Sequence, residues 1–263
     1  MALSAPARAA EPLALAGRYQ QGGFAIGRTA PGAQTYLDGQ AVTRASPAGF
    51  FIIGFDRDAS ARSTLRVAGS EGETSRTLDI ARGDFDVQRI TVGPVIPGTA
   101  SPELEARIAA ESRRKAAAFA SRSDRDDFRN GFSSPVRDFR VTARYGGQRI
   151  LNGVPRPPHY GIDLAAPRGT PVYAPAGGVV LLAENGMLFE GGLIMIDHGQ
   201  GLVAAYLHLS SVDVLRGQSV TRGERIGAVG ATGRATGPHL CWRLKWRGRN
   251  MNPMLLVGAQ TPV

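Results

Sequence analysis

The sequence predicts a mainly β protein with one sizeable helix. Gly is abundant, with 34 residues in a chain of 263, and Gly-rich turns suit many short strands better than long helices. Segments that alternate apolar with polar residues recur along the chain, and this is the period of a strand with one buried face. The length allows two domains of ordinary size.

The first part of the chain, residues 15–92, is predicted to form a small antiparallel β-sandwich domain. Dipeptides such as Asp38-Gly39 and Arg82-Gly83 separate its apolar segments and are typical of turns. The candidate strands are residues 23–26, 34–37, 50–55, 64–67, 75–80 and 87–92. We find no group of polar residues in this part that could carry chemistry.

A linker and a helix are predicted for residues 93–130. Ser101 is a favourable N-cap, Pro102 suits the first helical position, and the acidic Glu103 follows at the positive end of the helix dipole. The helix is expected over residues 101–120. Three apolar residues fall near one face of this helix: Leu104, Ile108 and Phe119.

Charge and composition restrict the partners. The net charge is +9 and the sequence pI is about 10.5, which favours an anionic partner. The basic residues are spread along the chain and are not clustered with aromatic residues, so nucleic acid is not expected as a partner. No run of about 18 apolar residues occurs, so the chain as given is expected to have no transmembrane segment.

Residues 1–14 resemble the end of an export signal. Small residues dominate there and end in an A-x-A-like pattern, but the apolar stretch that precedes such a pattern in a signal peptide is missing. We interpret this segment as a residual export segment or a disordered tail. The protein is therefore predicted to be periplasmic or otherwise exported, with its signal peptide trimmed.

All four histidines lie in the second half of the chain: His159, His198, His208 and His239. A single histidine is usually structural, but several beside glycines or in apolar strands raise the question of a metal site. The spacing of His159 and Asp163 is H-x-x-x-D, which is common by chance. The sequence around each histidine is therefore needed to distinguish a metal site from structural histidines.

Three sequence blocks occur together in the order PPHYGIDLAAPRGTPV (157–172), YLHLS (206–210) and GATGRATGPHLCW (230–242). In this order and spacing they resemble the lysostaphin/LytM-type zinc metalloendopeptidases, over about residues 131–257. The resemblance implies that residues 131–263 form a LytM-type peptidase domain, an antiparallel β groove with zinc on its floor. The β-sandwich and the linking helix precede this domain.

The resemblance also implies roles for individual residues. His159 and Asp163 correspond to zinc ligands, and His208 and His239 to the two catalytic histidines. The third block normally reads H-x-H, and its second histidine is the third zinc ligand. Cys241 occupies that position here.

Cys241 can replace the missing histidine on chemical grounds. Residues i and i+2 of a strand face the same side, so Cys241 and His239 can both face the site. A thiolate is a good zinc ligand and would leave a fourth position open, as in catalytic zinc sites. It also neutralises one more charge than imidazole, so lower activity or a higher pH optimum is expected. The alternative is a small buried apolar side chain in an inactive site.

Two further residues are candidates for substrate binding. Asn152 precedes the first block and could line the groove, and Tyr206 could face either the substrate or the core. His198 and Asp197 are expected to be structural residues at the end of a strand.

The predicted function is zinc-dependent hydrolysis of amide bonds in peptidoglycan cross-link peptides. The alternative is a catalytically weak or inactive LytM-type regulator that activates a cell-wall amidase. A biotinyl or lipoyl carrier domain is disfavoured, because the hairpin-like segment 217–227 has no lysine at its tip and Lys245 lies in another strand.

Overall fold

The computed structural model describes residues 13–70, 72–91 and 101–262. Within these ranges the protein is mainly β with one long helix, which confirms the predicted fold class. The export segment or tail predicted for residues 1–14 lies almost wholly outside the described residues. No helix in the described part is both long and apolar enough to cross a membrane.

Seven strands form two antiparallel sheets in the N-terminal part. They are β1 (Ala14–Arg18), β2 (Phe24–Arg28), β3 (Gln34–Leu37), β4 (Gln40–Arg44), β5 (Phe50–Gly54), β6 (Arg62–Gly69) and β7 (Gly72–Asp79). One sheet has the order β1-β2-β5 and the other β4-β3-β6-β7. Phe24, Ile52 and Leu65 are completely buried and belong to one core, as expected for sheets that each have one apolar face.

A short strand, β8 (Val87–Ile90), and the helix α1 (Pro102–Phe119) follow. The helix begins at its predicted cap, where Ser101 Oγ accepts a hydrogen bond from the Leu104 N–H at 3.3 Å. Of the three apolar residues near one face, Leu104 is 37% exposed, whereas Ile108 and Phe119 are partly buried and Phe119 packs against a buried cluster. The buried residues of the helix are Glu111 and Ala118. Charged side chains also tie the helix to the sheet, since Arg114 pairs with Glu184 and Lys115 with Glu190.

Thirteen strands make up the rest of the described chain. They are β9 (Arg140–Ala143), β10 (Gln148–Leu151), β11 (Val154–Pro155), β12 (Gly161–Ala165), β13 (Pro171–Tyr173), β14 (Gly178–Met187), β15 (Gly191–Asp197), β16 (Leu202–Leu209), β17 (Ser211–Val212), β18 (Ser219–Val220), β19 (Arg225–Ala228), β20 (His239–Trp246) and β21 (Arg249–Met251). The central antiparallel sheet has the order β18-β14-β15-β16-β20-β12-β9, with β21 beside β20. A smaller sheet has the order β13-β19-β17.

Strand β8 does not pair with the sandwich to which the sequence assigned it. It pairs in parallel with β10, with Val87 opposite Gln148 and Ile90 opposite Leu151. Its four residues are all exposed, so no apolar face holds it in the sandwich. This strand instead extends the edge of the second half of the chain.

The central sheet is buried on both faces. In β15, Leu193 and Met195 face a cluster that includes Ala118 of α1, whereas Ile194 and Ile196 face the main core. This alternation follows from the two-residue period of a strand. It explains why β15 is apolar throughout, and it divides the sheet into an α1 face and a core face.

The main core is continuous between the two halves of the chain, since it contains Phe24 and Ile52 as well as Trp242 and Trp246. A Cβ at Gly54 would lie 2.5 Å from the Met251 sulfur, so the backbone of β5 packs directly on β21. The boundaries assigned to the two domains remain a prediction, but their apolar residues form one core.

Gln200 makes polar links between the two halves. Its side-chain oxygen accepts hydrogen bonds from Thr43 Oγ1 at 3.1 Å and from the Ile52 N–H at 3.3 Å. Its amide nitrogen donates to the Phe50 carbonyl at 3.0 Å. Gln200 is 2% exposed, so its removal would leave these buried groups without partners.

We expect Gln200→Ala to lower the free energy of unfolding by about 2–4 kcal/mol, because buried polar groups that lose their partners are costly. Urea unfolding of the full chain, followed by tryptophan fluorescence, measures this loss. Gln40→Ala is the matched control, because Gln40 is exposed on β4. Equal stabilities of the two variants would contradict a linking role for Gln200.

Candidate metal centre and active site

The register of three strands brings part of the predicted site together. Asp163 of β12 lies opposite Cys241 of β20, and Cys241 lies opposite Leu207 of β16. Residues directly opposite in neighbouring strands project to the same face. Cys241 and Leu207 both belong to the cluster on the α1 face, and His239 shares that face because it is two residues from Cys241.

His159 comes to the same place from the loop that precedes β12. Its N–H donates to the Gly147 carbonyl at 2.8 Å, and its own carbonyl accepts from the Gly146 N–H at 2.8 Å. These two bonds fix the backbone on both sides of the residue. The His159 Nε2 then lies 3.0 Å from Asp163 Oδ1.

The donor atoms of His159, Asp163 and Cys241 fit a metal ion. They all lie within 4.8 Å of one another, and tetrahedral zinc with bonds of about 2.0–2.3 Å needs donors roughly 3.3–3.8 Å apart. His159 Nε2 and Asp163 Oδ1 are buried, and neither has a hydrogen bond of acceptable geometry within the described chain. A cation held by both atoms would give each of these buried polar atoms a partner.

The electrostatics of the cluster favour one negative charge before any cation binds. Burial opposes ionisation of Asp163, but its contacts with His159, Cys241 and His239 outweigh burial and hold its pKa below the usual value. Burial raises the pKa of Cys241 to about 12, although nearby Arg243 opposes this rise. Cys241 is therefore a neutral thiol without a cation, and it must release a proton to act as a ligand.

A β-bulge in β16 directs His208 towards this cluster. Ile194 pairs with Tyr206 and Gly192 pairs with Leu209, so β16 has one residue more than β15 between these pairs. His208 has a φ of 67°, which is in the left-handed region that few residues other than glycine adopt. In a regular strand His208 would face the core with Tyr206, whereas the bulge lets it leave that face.

Backbone contacts hold the bulge. The His208 N–H donates to the Glu190 carbonyl at 2.8 Å, and the His208 Nδ1 lies 2.9 Å from the Thr232 carbonyl. Thr232 Oγ1 in turn donates to the Leu209 carbonyl at 2.8 Å. The Glu190 carboxylate contacts Lys115 of α1, so the helix supports the segment that holds His208.

The two candidate catalytic histidines lie side by side, with ring centroids 4.8 Å apart. His239 Nδ1 lies 2.8 Å from the Gly237 carbonyl, just as His208 Nδ1 faces the Thr232 carbonyl. A carbonyl accepts only, so both rings carry their proton on Nδ1 and have Nε2 free as an acceptor. The His239 Nε2 lies 3.9 Å from Asp163 Oδ1.

A cleft of about 940 Å³ opens beside the cluster. His159 and Asp163 line it, together with residues of β9 and β10, the loop that follows them, and Arg234 and Arg243. The segment around β8 contributes Asp86. The cleft is therefore built from both halves of the chain.

The two predicted substrate-binding residues do not line this cleft. Tyr206 is completely buried in the main core, so of its two alternatives the structure has core packing, because Tyr206 and its partner Trp242 face away from Cys241. Asn152 is exposed in the turn between β10 and β11, with φ of 49° before Gly153 at 80°. Its role in binding substrate remains a prediction.

His198 and Asp197 lie outside the cluster and are structural, as expected. His198 is buried with its Nδ1 2.6 Å from the Gly177 carbonyl. Asp197 accepts hydrogen bonds from Ser121 Oγ at 2.6 Å and from the Gly199 N–H at 2.8 Å. These contacts fix the turn after β15.

Sequence reasoning missed Arg243 and Thr232. Arg243 is two residues beyond Cys241 on the same strand face, and its Nε donates to the Cys241 Sγ at 3.4 Å. The two-residue period that placed Cys241 beside His239 could have found Arg243 as well. Nothing in the sequence indicates Thr232, whose role depends on the bulge.

The model of peptidase family M23 matches residues 157–253. Peptidoglycan DD-endopeptidase ShyA of Vibrio cholerae is 44% identical over 117 residues, which are 44% of this chain and 27% of ShyA. DD-carboxypeptidase/endopeptidase Mpg of Neisseria meningitidis is 45% identical over 104 residues, which are 40% of this chain and 24% of Mpg. The chain therefore spans about a quarter of the length of these curated relatives.

A solved structure is similar over almost the whole chain. A candidate peptidase M23 from Pseudomonas aeruginosa matches with a TM-score of 0.69 and 29% identity, covering 91% of this chain and 95% of that one. This coverage extends beyond the peptidase match, so the similarity includes much of the N-terminal half as well.

We expect His208 to titrate below the ordinary histidine pKa of about 6.5, because burial lowers its pKa and neighbouring His239 adds to the effect. The Thr232 carbonyl and Asp163 oppose the shift, and Arg243 favours it. Titration of the imidazole NMR signals in the metal-free full chain measures this pKa, with the urea-unfolded chain as reference.

The same shift makes stability depend on pH. A histidine whose folded pKa lies below its unfolded pKa binds its proton more readily when unfolded, so stability is lost as the pH falls below about 6.5. His198, whose pKa burial also lowers, acts in the same direction. Titration of His208 at or above the unfolded value would contradict the geometry described here.

Proposed function

Since residues 157–253 of this chain match the model of peptidase family M23, we propose that the protein is a zinc-dependent endopeptidase that hydrolyses amide bonds in peptidoglycan cross-link peptides. One observation carries the proposal. Three side chains that could hold a metal ion lie together beside a cleft, and two adjacent imidazoles accompany them, with His239 Nε2 3.9 Å from Asp163 Oδ1. Two similar proteins, ShyA and Mpg, are named as peptidoglycan DD-endopeptidase and DD-carboxypeptidase/endopeptidase.

His159, Asp163 and Cys241 are the proposed zinc ligands. Imidazole, carboxylate and thiolate are all donors that zinc accepts, and three protein ligands leave the open position of a catalytic site. When bound, zinc supplies a Lewis acid that polarises a carbonyl and makes water more acidic. The hydrogen bond from Arg243 favours the thiolate form of Cys241.

His208 and His239 are the proposed catalytic histidines. Each has its Nδ1–H held by a backbone carbonyl, so each can accept a proton at Nε2 and donate it again from that atom. A protonated Nε2–H can also stabilise the oxyanion that forms when an amide is attacked. The lowered pKa of His208 keeps this ring neutral, and able to act as a base, at neutral pH.

An exported location follows from such a substrate, because peptidoglycan lies outside the cytoplasmic membrane. We therefore propose that the protein acts in the periplasm or another exported location, with the peptidoglycan peptide as its partner. The rival proposal is a weak or inactive regulator of a cell-wall amidase. The replacement of histidine by Cys241 is the observation that favours this rival.

Removal of the ligands tests the metal centre. We expect the full chain to contain about one zinc per molecule when it is purified without chelator, and the double variant His159→Ala, Cys241→Ala to contain almost none. Elemental analysis of the metal gives the ratio. His198→Ala is the matched control and should retain zinc, since His198 lies outside the cluster.

Zinc that stays stoichiometric in the double variant would exclude these ligands. Circular dichroism of each variant shows whether the chain remains folded, so that loss of metal is not confused with unfolding.

Replacement of Cys241 by histidine tests how the thiolate tunes the site. We expect Cys241→His to lower the pH at which hydrolysis begins and to raise the rate near neutral pH about tenfold, or about 1.4 kcal/mol in activation free energy. The reason is that neutral imidazole leaves more positive charge on zinc. Rates on purified cell-wall peptides across pH measure the change.

Cys241→Ala is the companion variant and should lose both zinc and activity. If wild type neither binds zinc nor cleaves peptide, while Cys241→His does both, the results would favour the regulator of a cell-wall amidase over the endopeptidase. The side chain of Cys241 is 1% exposed and a Cβ at Gly161 would lie 3.2 Å from its sulfur, so Gly161 must remain glycine in every variant.

A further inference from the structure

The cleft beside the cluster has an unusual charge. Its lining contains two aspartates, Asp86 and Asp163, and Asp163 belongs to the proposed metal centre. Its described lining residues include no glutamate or lysine but five arginines: Arg144, Arg149, Arg156, Arg234 and Arg243. The wall of the cleft is therefore strongly positive.

The five arginines form no direct ion pair within the described residues, although Glu190 and Asp163 attract Arg243 over a longer distance. Within the described residues, none of them has a carboxylate oxygen within 4.0 Å of its guanidinium, although many other arginines of the chain do. Arg234 stacks on Phe189, with its guanidinium carbon 5.2 Å from the ring centroid. This stacking holds the side chain and leaves the charge without a counterion.

Arg243 is the arginine nearest the proposed reaction centre. It is only partly exposed, and its Nε is engaged with the Cys241 sulfur at 3.4 Å. No other hydrogen bond to its guanidinium occurs among the described residues. Since a guanidinium has five N–H donors in a planar fork, its terminal nitrogens remain able to hold a carboxylate with two parallel bonds.

Like charges that converge on a cleft repel one another and attract an anionic ligand. Guanidinium groups bind carboxylates with better geometry than ammonium groups do. Single-stranded nucleic acid fits the cleft less well, because its binding sites combine positive charge with several stacked aromatic residues. Among the described lining residues, Tyr160 is the single aromatic one.

From this arrangement we infer that the cleft binds a peptide that carries free carboxylates, and that Arg243 holds one of them close to the scissile amide. The inference rests on the proposed function and specifies which cross-link peptides the site accepts. Peptides with free carboxylates are preferred, and peptides with amidated carboxylates are poor ligands. Arg234, Arg149 and their neighbours extend the same preference along the cleft.

The test compares two forms of one synthetic branched peptide that copies a peptidoglycan cross-link, one with free carboxylates and one with amidated carboxylates. Binding to the full chain is measured by fluorescence anisotropy, and hydrolysis is measured separately by chromatography. We expect the free-acid form to bind about tenfold more tightly, as for a charge-assisted hydrogen-bond pair. The difference should shrink as salt is added.

Arginine variants identify which side chains bind the carboxylates of the peptide. Arg243→Gln should weaken binding of the free-acid peptide about tenfold more than binding of the amidated peptide, whereas Arg243→Lys should recover part of that difference. The double variant Arg149→Gln, Arg234→Gln tests the outer cleft without touching the neighbour of Cys241. Arg216→Gln removes the same charge from an exposed residue outside the cleft and should bind as wild type does.

Equal binding of the two peptides would overturn the inference, and so would an equal loss in Arg216→Gln and Arg243→Gln. Competition by a single-stranded oligonucleotide of the same charge, as strong as that of the free-acid peptide, would also overturn it. If the acid form is preferred in binding but neither form is cleaved, the proposed function fails and the inference stands. If both forms are cleaved and bound alike, the inference fails and the proposed function stands.

Discussion

The register of β12 against β20 is the constraint on which the candidate site depends. It places Asp163 directly opposite Cys241, and the loop before β12 then brings His159 within 3.0 Å of Asp163. A shift of one residue would turn every side chain of β12 to the other face and would bury Asp163 in the main core. Leu164, which faces that core, is completely buried and opposes such a shift. The packing of the sheet therefore specifies the candidate metal centre as well as the fold.

The bulge in β16 is the second feature on which the candidate site depends. The strand alternation that buries Tyr206 and Leu207 on opposite faces would also bury His208 in the core. One extra residue with left-handed backbone removes His208 from that alternation, and carbonyls of Glu190 and Thr232 hold it. Bulges are common beside functional sites because they redirect one side chain without disturbing the rest of the sheet.

The N-terminal half and the helix contribute to the site through packing and charge. One core runs from the N-terminal sheets to β20 and β21, and Asp86 from the end of this half lines the cleft. On the other face, α1 docks through Glu111, which accepts from the Leu188 N–H at 2.9 Å, and through Lys115, which contacts Glu190. Since Glu190 also accepts the His208 N–H, the helix stabilises the segment next to the bulge. These contacts make the first half a structural support of the site.

The sequence by itself determined the fold class, the helix start at Ser101 and five clustered residues, because these follow from local patterns and from three motifs that recur as a set. It did not determine the burial of Glu111 in α1, the pairing of β8, the burial of Tyr206 or the arginines of the cleft. Each of these depends on which distant segments meet. Glu111 is buried where it accepts a hydrogen bond from the Leu188 N–H, and β8 pairs with β10, with Val87 opposite Gln148. His208 shows both contributions in a single residue. Its motif indicates a catalytic histidine, and only the tertiary contacts of the bulge turn its side chain towards the candidate metal centre.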